Sequence, residues 1–207
     1  MLLNPRKTVL LICDVQERFR PAIHGFDSVA STICKLVKAS QALEVPVFVT
    51  EQNPKALGST VKEIKDLLDQ EKTQVLGIVS KTKFSMLTED TMSYFKDYSY
   101  YDSFILTGIE SHICVLQTAI DLLRRSPAPR VYLPADAISS CNKEEIPLAL
   151  QYLRQQGAII TTSESLIYRL TVDAKNENFK YIAKLTKDEK ENTTKALQTL
   201  VKPLFLE

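Results

Sequence analysis

The sequence predicts a three-layer α/β fold: a mostly parallel sheet of about six strands with helices packed on both faces. Three observations carry this expectation. Short apolar runs alternate along the chain with stretches of helical period. The runs are continuous rather than alternating apolar and polar, as in Thr8 to Cys13 (TVLLIC), which suits strands buried on both faces. At 207 residues and 44% hydrophobic, the chain is long and apolar enough for one large core, and no internal repeat divides it.

Thr8 to Cys13 reads as the first strand, with Asp14 directly after it. From Asp27 to Leu43 the residues Val29, Ile33, Leu36, Val37 and Leu43 share one helical face, and Asp27 or Ser28 is the N-cap. Pro46 to Thr50 is the second strand, and Glu51-Gln52-Asn53-Pro54 the loop after it. Ser59 to Gln70 is a helix with Val61, Ile64, Leu67 and Leu68 inward. Gln74 to Ser80 is the third strand, followed by Lys81. Thr88 caps a third helix running to Asp97.

The central stretch is Ser103 to Ala119. Phe104-Ile105-Leu106 is strand-like, Gly108 ends the strand, and Glu110-Ser111-His112 forms a polar elbow. Ile113, Leu116, Ile120 and Leu123 then mark a helix closed by Pro127 and Pro129. Arg130 to Pro134 is the fifth strand. The helix that ends near Gln155 starts either at a capping box of Asn142 with Glu145 or at Pro147 as a first helical residue. Ala158 to Thr162 is the sixth strand, and Ser163 caps a helix from Glu164 to Leu170. Asn178 to Leu185 adds a helix. Lys187 to Thr194 is a loop or a weakly packed helix start, and the last residues carry Leu197, Leu200 and Leu204, which need a surface. We expect one domain over 1–207, with a core of about 8–185 and a helical tail over 186–207.

Composition narrows the function. Lys plus Arg number 26 against 25 Asp plus Glu, for a net charge of +1, so no broad basic surface awaits a nucleic acid. The 5 glycines do not cluster into a phosphate-binding loop. Cys13, Cys34, Cys114 and Cys141 are far apart, with no CxxC and no signal-like leader, which suggests free thiols in a reducing, cytoplasmic setting. No apolar stretch is long enough to cross a membrane.

In a parallel sheet, ligands bind beyond the carboxyl ends of the strands. Asp14, Lys81 and Cys114 all fall at that edge. Singly, each has a plain explanation: a turn acid, a solvated lysine, a small buried thiol. Together they make an acid, an amine and a nucleophile. Cys114 stands where a strand turns into a helix, so open N–H groups and the positive end of the helix dipole favour an anion there.

LLICDVQERF (10–19), KTKFSM (81–86) and GIESHICVLQTA (108–119) resemble the motifs of the isochorismatase-like cysteine hydrolase family. TEQNPKALG (50–58), LPADAISS (133–140) and TTSESLIYRL (161–170) are similar to its eukaryotic isochorismatase domain-containing branch. The resemblance implies a Rossmann-like strand order of 3-2-1-4-5-6 and a homo-oligomer, dimer or larger. It places the family's Asp–Lys–Cys set on Asp14, Lys81 and Cys114. It also implies a cis peptide at Ile109–Glu110, with the N–H groups of Glu110 and Cys114 forming an oxyanion pair. Nicotinamidases of the family hold a metal after the second strand. Here that region reads Glu51-Gln52-Asn53-Pro54, and neither His24 nor His112 is suitably placed, so no metal or cofactor is expected. The nucleophilic Cys, absent from the vinyl-ether hydrolases of the family, points to an amide-type carbonyl in a small-molecule substrate. Phe19, Gln52 and Phe84 are expected to line its pocket. The alternatives are a ligand-binding or protein-interaction module on the same scaffold and, with less support, a ribonuclease.

Overall fold

The computed structural model describes residues 3–95 and 100–201. In chain order it contains β1 (Thr8–Cys13), α1 (Phe26–Leu43), β2 (Val47–Gln52), α2 (Pro54–Leu57), α3 (Lys62–Leu68), β3 (Val75–Lys81) and α4 (Glu89–Ser93). Next come β4 (Ser103–Ile109), α5 (Cys114–Leu123), β5 (Arg130–Pro134), β6 (Ile138–Ser139), α6 (Glu145–Gln155) and β7 (Ile159–Thr161). The chain then runs through α7 (Ser163–Thr171), α8 (Phe179–Asp188) and α9 (Lys190–Ala196).

Every strand pair is parallel, and the order is β3-β2-β1-β4-β5-β7. The implied order 3-2-1-4-5-6 therefore holds, with β7 as the sixth strand of the sequence reading. The added strand, β6, is two residues long and pairs with Gly108 and Ile109 of β4. It takes the place beside β4 that β5, paired only with Ser103 to Ile105, has left.

Alternation along β1 explains the two cores. Leu10 and Ile12 face a cluster built with Val29, Ile33 and Val37 of α1, Ile64 of α3 and Leu166 of α7. Val9, Leu11 and Cys13 face a second cluster with Val115, Ala119 and Leu122 of α5 and Leu150 of α6. All six residues of β1 are buried, so the run needs no polar face. Each fully buried Leu or Ile contributes about 1.5–3 kcal/mol, which makes the two clusters the main source of stability.

Local chemistry decides where elements begin. Thr88 caps α4 as expected, in a reciprocal box with Thr91. The helix ends at Ser93, short of the expected Asp97: Tyr94 and Phe95 are no longer helical, and residues 96–97 lie outside the described residues. Neither Asp27 nor Ser28 caps α1; the chain enters through Gly25 at φ 60. Helix α6 starts at Glu145 without a side-chain cap, so neither expected start is the observed one, and Pro147 sits in its first turn, where an N–H has no helical acceptor. Thr162, not Ser163, caps α7, because Ser163 is bonded to Asp136. The polar stretch 187–194 is helical, across the end of α8 and most of α9. Leu200 beyond it is 1% exposed and packs into the α1-side cluster.

The β4 elbow differs from expectation. Among the described residues the cis peptide bond is Ser126–Pro127, so Ile109–Glu110 is trans. The turn is made instead by positive φ at Gly108 (131°) and Glu110 (59°). Gly108 is obligatory there for a second reason: a Cβ at this position would lie 2.2 Å from the Cys13 carbonyl oxygen. Gly108→Ala is expected to destabilise the protein by about 3 kcal/mol or more, read as a lower urea midpoint, because both the dihedral and the backbone contact must give.

Candidate active site

Three strand ends converge on one edge. Asp14 follows β1 with φ 58, a left-handed conformation that Asp tolerates better than most residues. Its N–H donates to the Thr50 carbonyl of β2, which fixes the turn. The Asp14 carboxylate is buried and fully engaged. Oδ1 accepts from Thr50 Oγ1 at 2.8 Å, and Oδ2 accepts from Lys81 Nζ at 2.6 Å and from Cys13 Sγ at 3.4 Å.

Lys81 is the last residue of β3, and its side chain is 0% exposed against 2% for that of Asp14. The ammonium also donates to Gln52 Oε1 at 2.8 Å and to the carbonyls of Phe84 at 3.0 Å and Lys83 at 3.2 Å. Burial works against its charge, but the Cys13 thiol, the Asp14 carboxylate and the Cys114 thiol outweigh it and hold the ammonium above its ordinary range. The expected acid and amine meet as a 2.6 Å ion pair, and the Cys114 thiol is near enough to add to the charge that Lys81 feels.

Cys114 opens α5 and is 6% exposed. No side chain caps this helix, so its first-turn N–H groups are left to other acceptors. The Cys114 carbonyl accepts from Thr118 Oγ1 at 2.6 Å, and the same hydroxyl accepts from Met86 N–H at 2.9 Å. Thr118 therefore ties the thiol's helix to the segment that follows Lys81.

Cys13, which sequence reasoning did not single out, donates to Asp14 Oδ2 at 3.4 Å and interacts electrostatically with Cys114. Burial pushes the Cys13 thiol well up, and its hydrogen bond with Cys114 and the Asp14 charge add to that, while Lys81 opposes it. In the sequence Cys13 is simply the last apolar residue of a strand. Gln16 carries no signal in the sequence either. It is fully buried, accepts from Gln52 N–H at 2.7 Å and donates to the Gln52 carbonyl at 3.1 Å and the Gly58 carbonyl at 2.6 Å, so it holds the β2 end in place. Ser111 Oγ, in the elbow, is buried without a hydrogen-bond partner among the described residues. Only its place three residues before Cys114 could have flagged it.

The expected pocket residues do not form one wall. Gln52 touches the Lys81 ammonium, as above. The Phe84 side is open, with that residue 50% exposed. Phe19 packs against the α1-side core. A cavity of about 490 Å³ reaches Lys81 from the side of Asn53, Lys55, Thr82, Lys83 and Thr88, and neither Phe19, Gln52, Phe84 nor Cys114 lines it.

Near the elbow, Ser140 Oγ donates to Glu110 Oε2 at 2.8 Å and lies 2.7 Å from His112 Nδ1. Burial and the Glu110 carboxylate push the neighbouring Cys141 thiol up. After β2, where a metal would sit in nicotinamidases, Glu51 Oε1 accepts from Thr60 N–H and Oγ1 at 2.7 and 2.8 Å.

Residues 8–165 match the profile of a family described as the isochorismatase domain. The chain is 41% identical over 183 residues to isochorismatase domain-containing protein 2 of Danio rerio, covering 88% of each. It is 37% identical over 190 residues to isochorismatase family protein 1A of Dictyostelium discoideum, covering 91% of this chain and 90% of that one. Among solved structures, one described as the MAR1 ribonuclease of Caenorhabditis elegans superposes with a TM-score of 0.81 at 38% identity, covering 89% of this chain and 92% of the other. The YcaC product of Escherichia coli, described as an octameric hydrolase of unknown specificity, superposes with a TM-score of 0.80 over 95% of each chain. At 17% identity the YcaC likeness speaks for the fold alone.

Replacing Lys81 with Met strands a buried carboxylate, and a loss of about 3–5 kcal/mol in urea unfolding is expected. The sign with pH follows from the raised Lys81 value: its contribution is complete below 10.5 and is lost as pH climbs past that point. The gap between wild type and Lys81→Met should therefore narrow in strongly alkaline buffer and stay constant near neutrality.

Proposed function

The chain belongs to the isochorismatase family of hydrolases, and from that premise we propose that it cleaves a small amide-type carbonyl substrate through a covalent thioester on Cys114. The observation that carries this reading is the Asp14–Lys81 pair, 2.6 Å apart and sealed from solvent beside a thiol at a helix start. A buried ion pair is a weak source of stability, so its presence at the ligand-binding edge of the sheet supports a chemical role.

In this mechanism Asp14 takes the Cys114 proton, by way of the Cys13 thiol or directly once substrate draws the groups together. Lys81 supplies positive charge beside the pair throughout. The sulfur attacks the carbonyl carbon, and the uncapped N–H groups at the start of α5, that of Cys114 among them, stabilise the oxyanion, since the trans Ile109–Glu110 bond removes the reason to pair them with the Glu110 N–H. The C–N bond breaks as Asp14 returns its proton to the leaving ammonia or amine. Asp14 then deprotonates a water that attacks the thioester, and the acid is released as Cys114 regains its proton. Gln52, bonded to the Lys81 ammonium, and the half-exposed Phe84 ring are the substrate contacts in this reading.

No helix among the described residues is long and apolar enough to cross a membrane. Four unpaired cysteines support a cytoplasmic setting, and exposed Ile78, Phe84 and Tyr94 around the edge strand β3 support self-association; the chain reads as one domain over 1–207. A second reading, ribonuclease, is favoured by the name of the Caenorhabditis elegans structure. The balanced charge of 26 basic against 25 acidic residues weighs against it.

A screen over amides, ureides and carbamoyl compounds, with single-stranded RNA alongside, tests both readings. Turnover of a small amide is expected to fall by about a thousandfold or more in Cys114→Ala, with the melting temperature preserved. Retained amide turnover in that variant would falsify the thioester mechanism, and RNA cleavage without any amide turnover would favour the second reading. Iodoacetamide should also label Cys114 faster than Cys34, whose thiol is pushed up to about 12 by burial and Glu63. Equal rates by peptide mass spectrometry would count against an activated thiol.

A further inference from the structure

Apart from the Asp14–Lys81–Cys114 set, a second group of ligating side chains stands together on the same edge. One potential ligand atom from each of Glu110, His112 and Cys141 lies within 4.8 Å of the other two. Two chain segments supply them, and the sheet pins both. Ile109 is in register with Ser139, and Ser111 N–H donates to the Ser139 carbonyl at 3.0 Å. The side chains of Glu110 and His112 are 13% and 25% exposed, so both are partly desolvated, while Cys141 is open to solvent. Ser140 Oγ stands between the carboxylate and the imidazole and orients both.

We propose that Glu110, His112 and Cys141 form a binding site for a borderline-soft divalent cation, with Zn²⁺ the best fit. The donor set is one carboxylate oxygen, one imidazole nitrogen and one thiolate. Thiolate and imidazole select against Mg²⁺ and Ca²⁺, which prefer oxygen ligands. The carboxylate and thiolate balance the cation's charge, and three protein ligands leave a fourth tetrahedral position open. Binding transfers the Cys141 proton to solvent as the S–Zn bond forms, with no change of oxidation state. Ligand atoms in a tetrahedral zinc site are about 3.5 Å apart, so the group must close by about 1 Å. The exposed Cys141 side chain can make that move by rotation. Ser140 remains as an outer hydrogen-bond partner, the arrangement that fixes ligand orientation in metal sites generally.

This site is separate from the one the nicotinamidase comparison would suggest, which lies after β2. It is also independent of the proposed thioester chemistry, although a cation here would clamp the elbow that carries the Glu110 N–H. Titration of the full chain with Zn²⁺ against a chromophoric chelator tests it. One equivalent is expected to bind with micromolar affinity or tighter, weakened at least about tenfold by Cys141→Ser and by His112→Ala, and unchanged by Cys114→Ala. Co²⁺ reports the sulfur directly. A thiolate-to-cobalt band in the near ultraviolet should appear in wild type and Cys114→Ala and be absent from Cys141→Ser. Absence of saturable binding overturns the proposal. So does a cobalt band that persists in Cys141→Ser and disappears in Cys114→Ala, since that would place the metal on the other thiol.

Discussion

The ion pair between Asp14 and Lys81 sets the terms for everything around it. Their strands are not neighbours: β2 lies between β1 and β3. Adjacent strands are about 4.8 Å apart, so the ammonium must cross roughly twice that distance, which only a long side chain can do. Taking both charges out of water carries a large desolvation cost unless every remaining donor and acceptor is met. Thr50, Gln52 and the carbonyls of residues 83 and 84 meet them. The local sequence on β2 and on the turn after β3 is thereby constrained by a contact between two other strands.

Backbone strain gathers at the same edge. Of the non-glycine residues with positive φ, Asp14, Asn53 and Glu110 stand at or just beyond the carboxyl ends of β1, β2 and β4. Such conformations cost on the order of 1–3 kcal/mol each and persist only where surrounding structure over-determines them. Here the surroundings are the most deeply buried strands of the sheet. The rigid middle of the fold supports an unfavourable rim, and the rim carries the polar groups.

Much of this was legible from the chain alone. Continuous apolar runs located β1 to β5 and β7 within a residue or two, because strands buried on both faces leave an unbroken hydrophobic signature. Asp14, Lys81 and Cys114 could be named because each directly follows such a run or its turn. Other features left no comparable trace. The strand β6 is two residues long and exists only because β5 diverges from β4, which is a tertiary event. The elbow was expected to turn on a cis bond; positive φ at Gly108 and Glu110 achieves the reversal instead, and spacing cannot distinguish the two. Cys13 is indistinguishable from a core residue until Cys114, a hundred positions away, is folded against it. Gln16 and Thr50 are ordinary polar residues whose importance lies in which buried group each one reaches.

Gly25 has a wider effect than its place at the start of α1 suggests. A side chain there would lie 2.8 Å from Thr199, so the last described helical turn rests directly on this glycine. His24 beside it bonds to the Thr199 carbonyl through its ring, to Ser140 through its N–H and to Ser139 through its carbonyl. The loop after Asp14, the segment after β6 and residues 199–200 are therefore one interlocked piece. During synthesis on the ribosome the strands emerge long before that final turn. The rim is therefore latched by a segment that follows every strand in the chain, so the sheet can pair before its edge is closed.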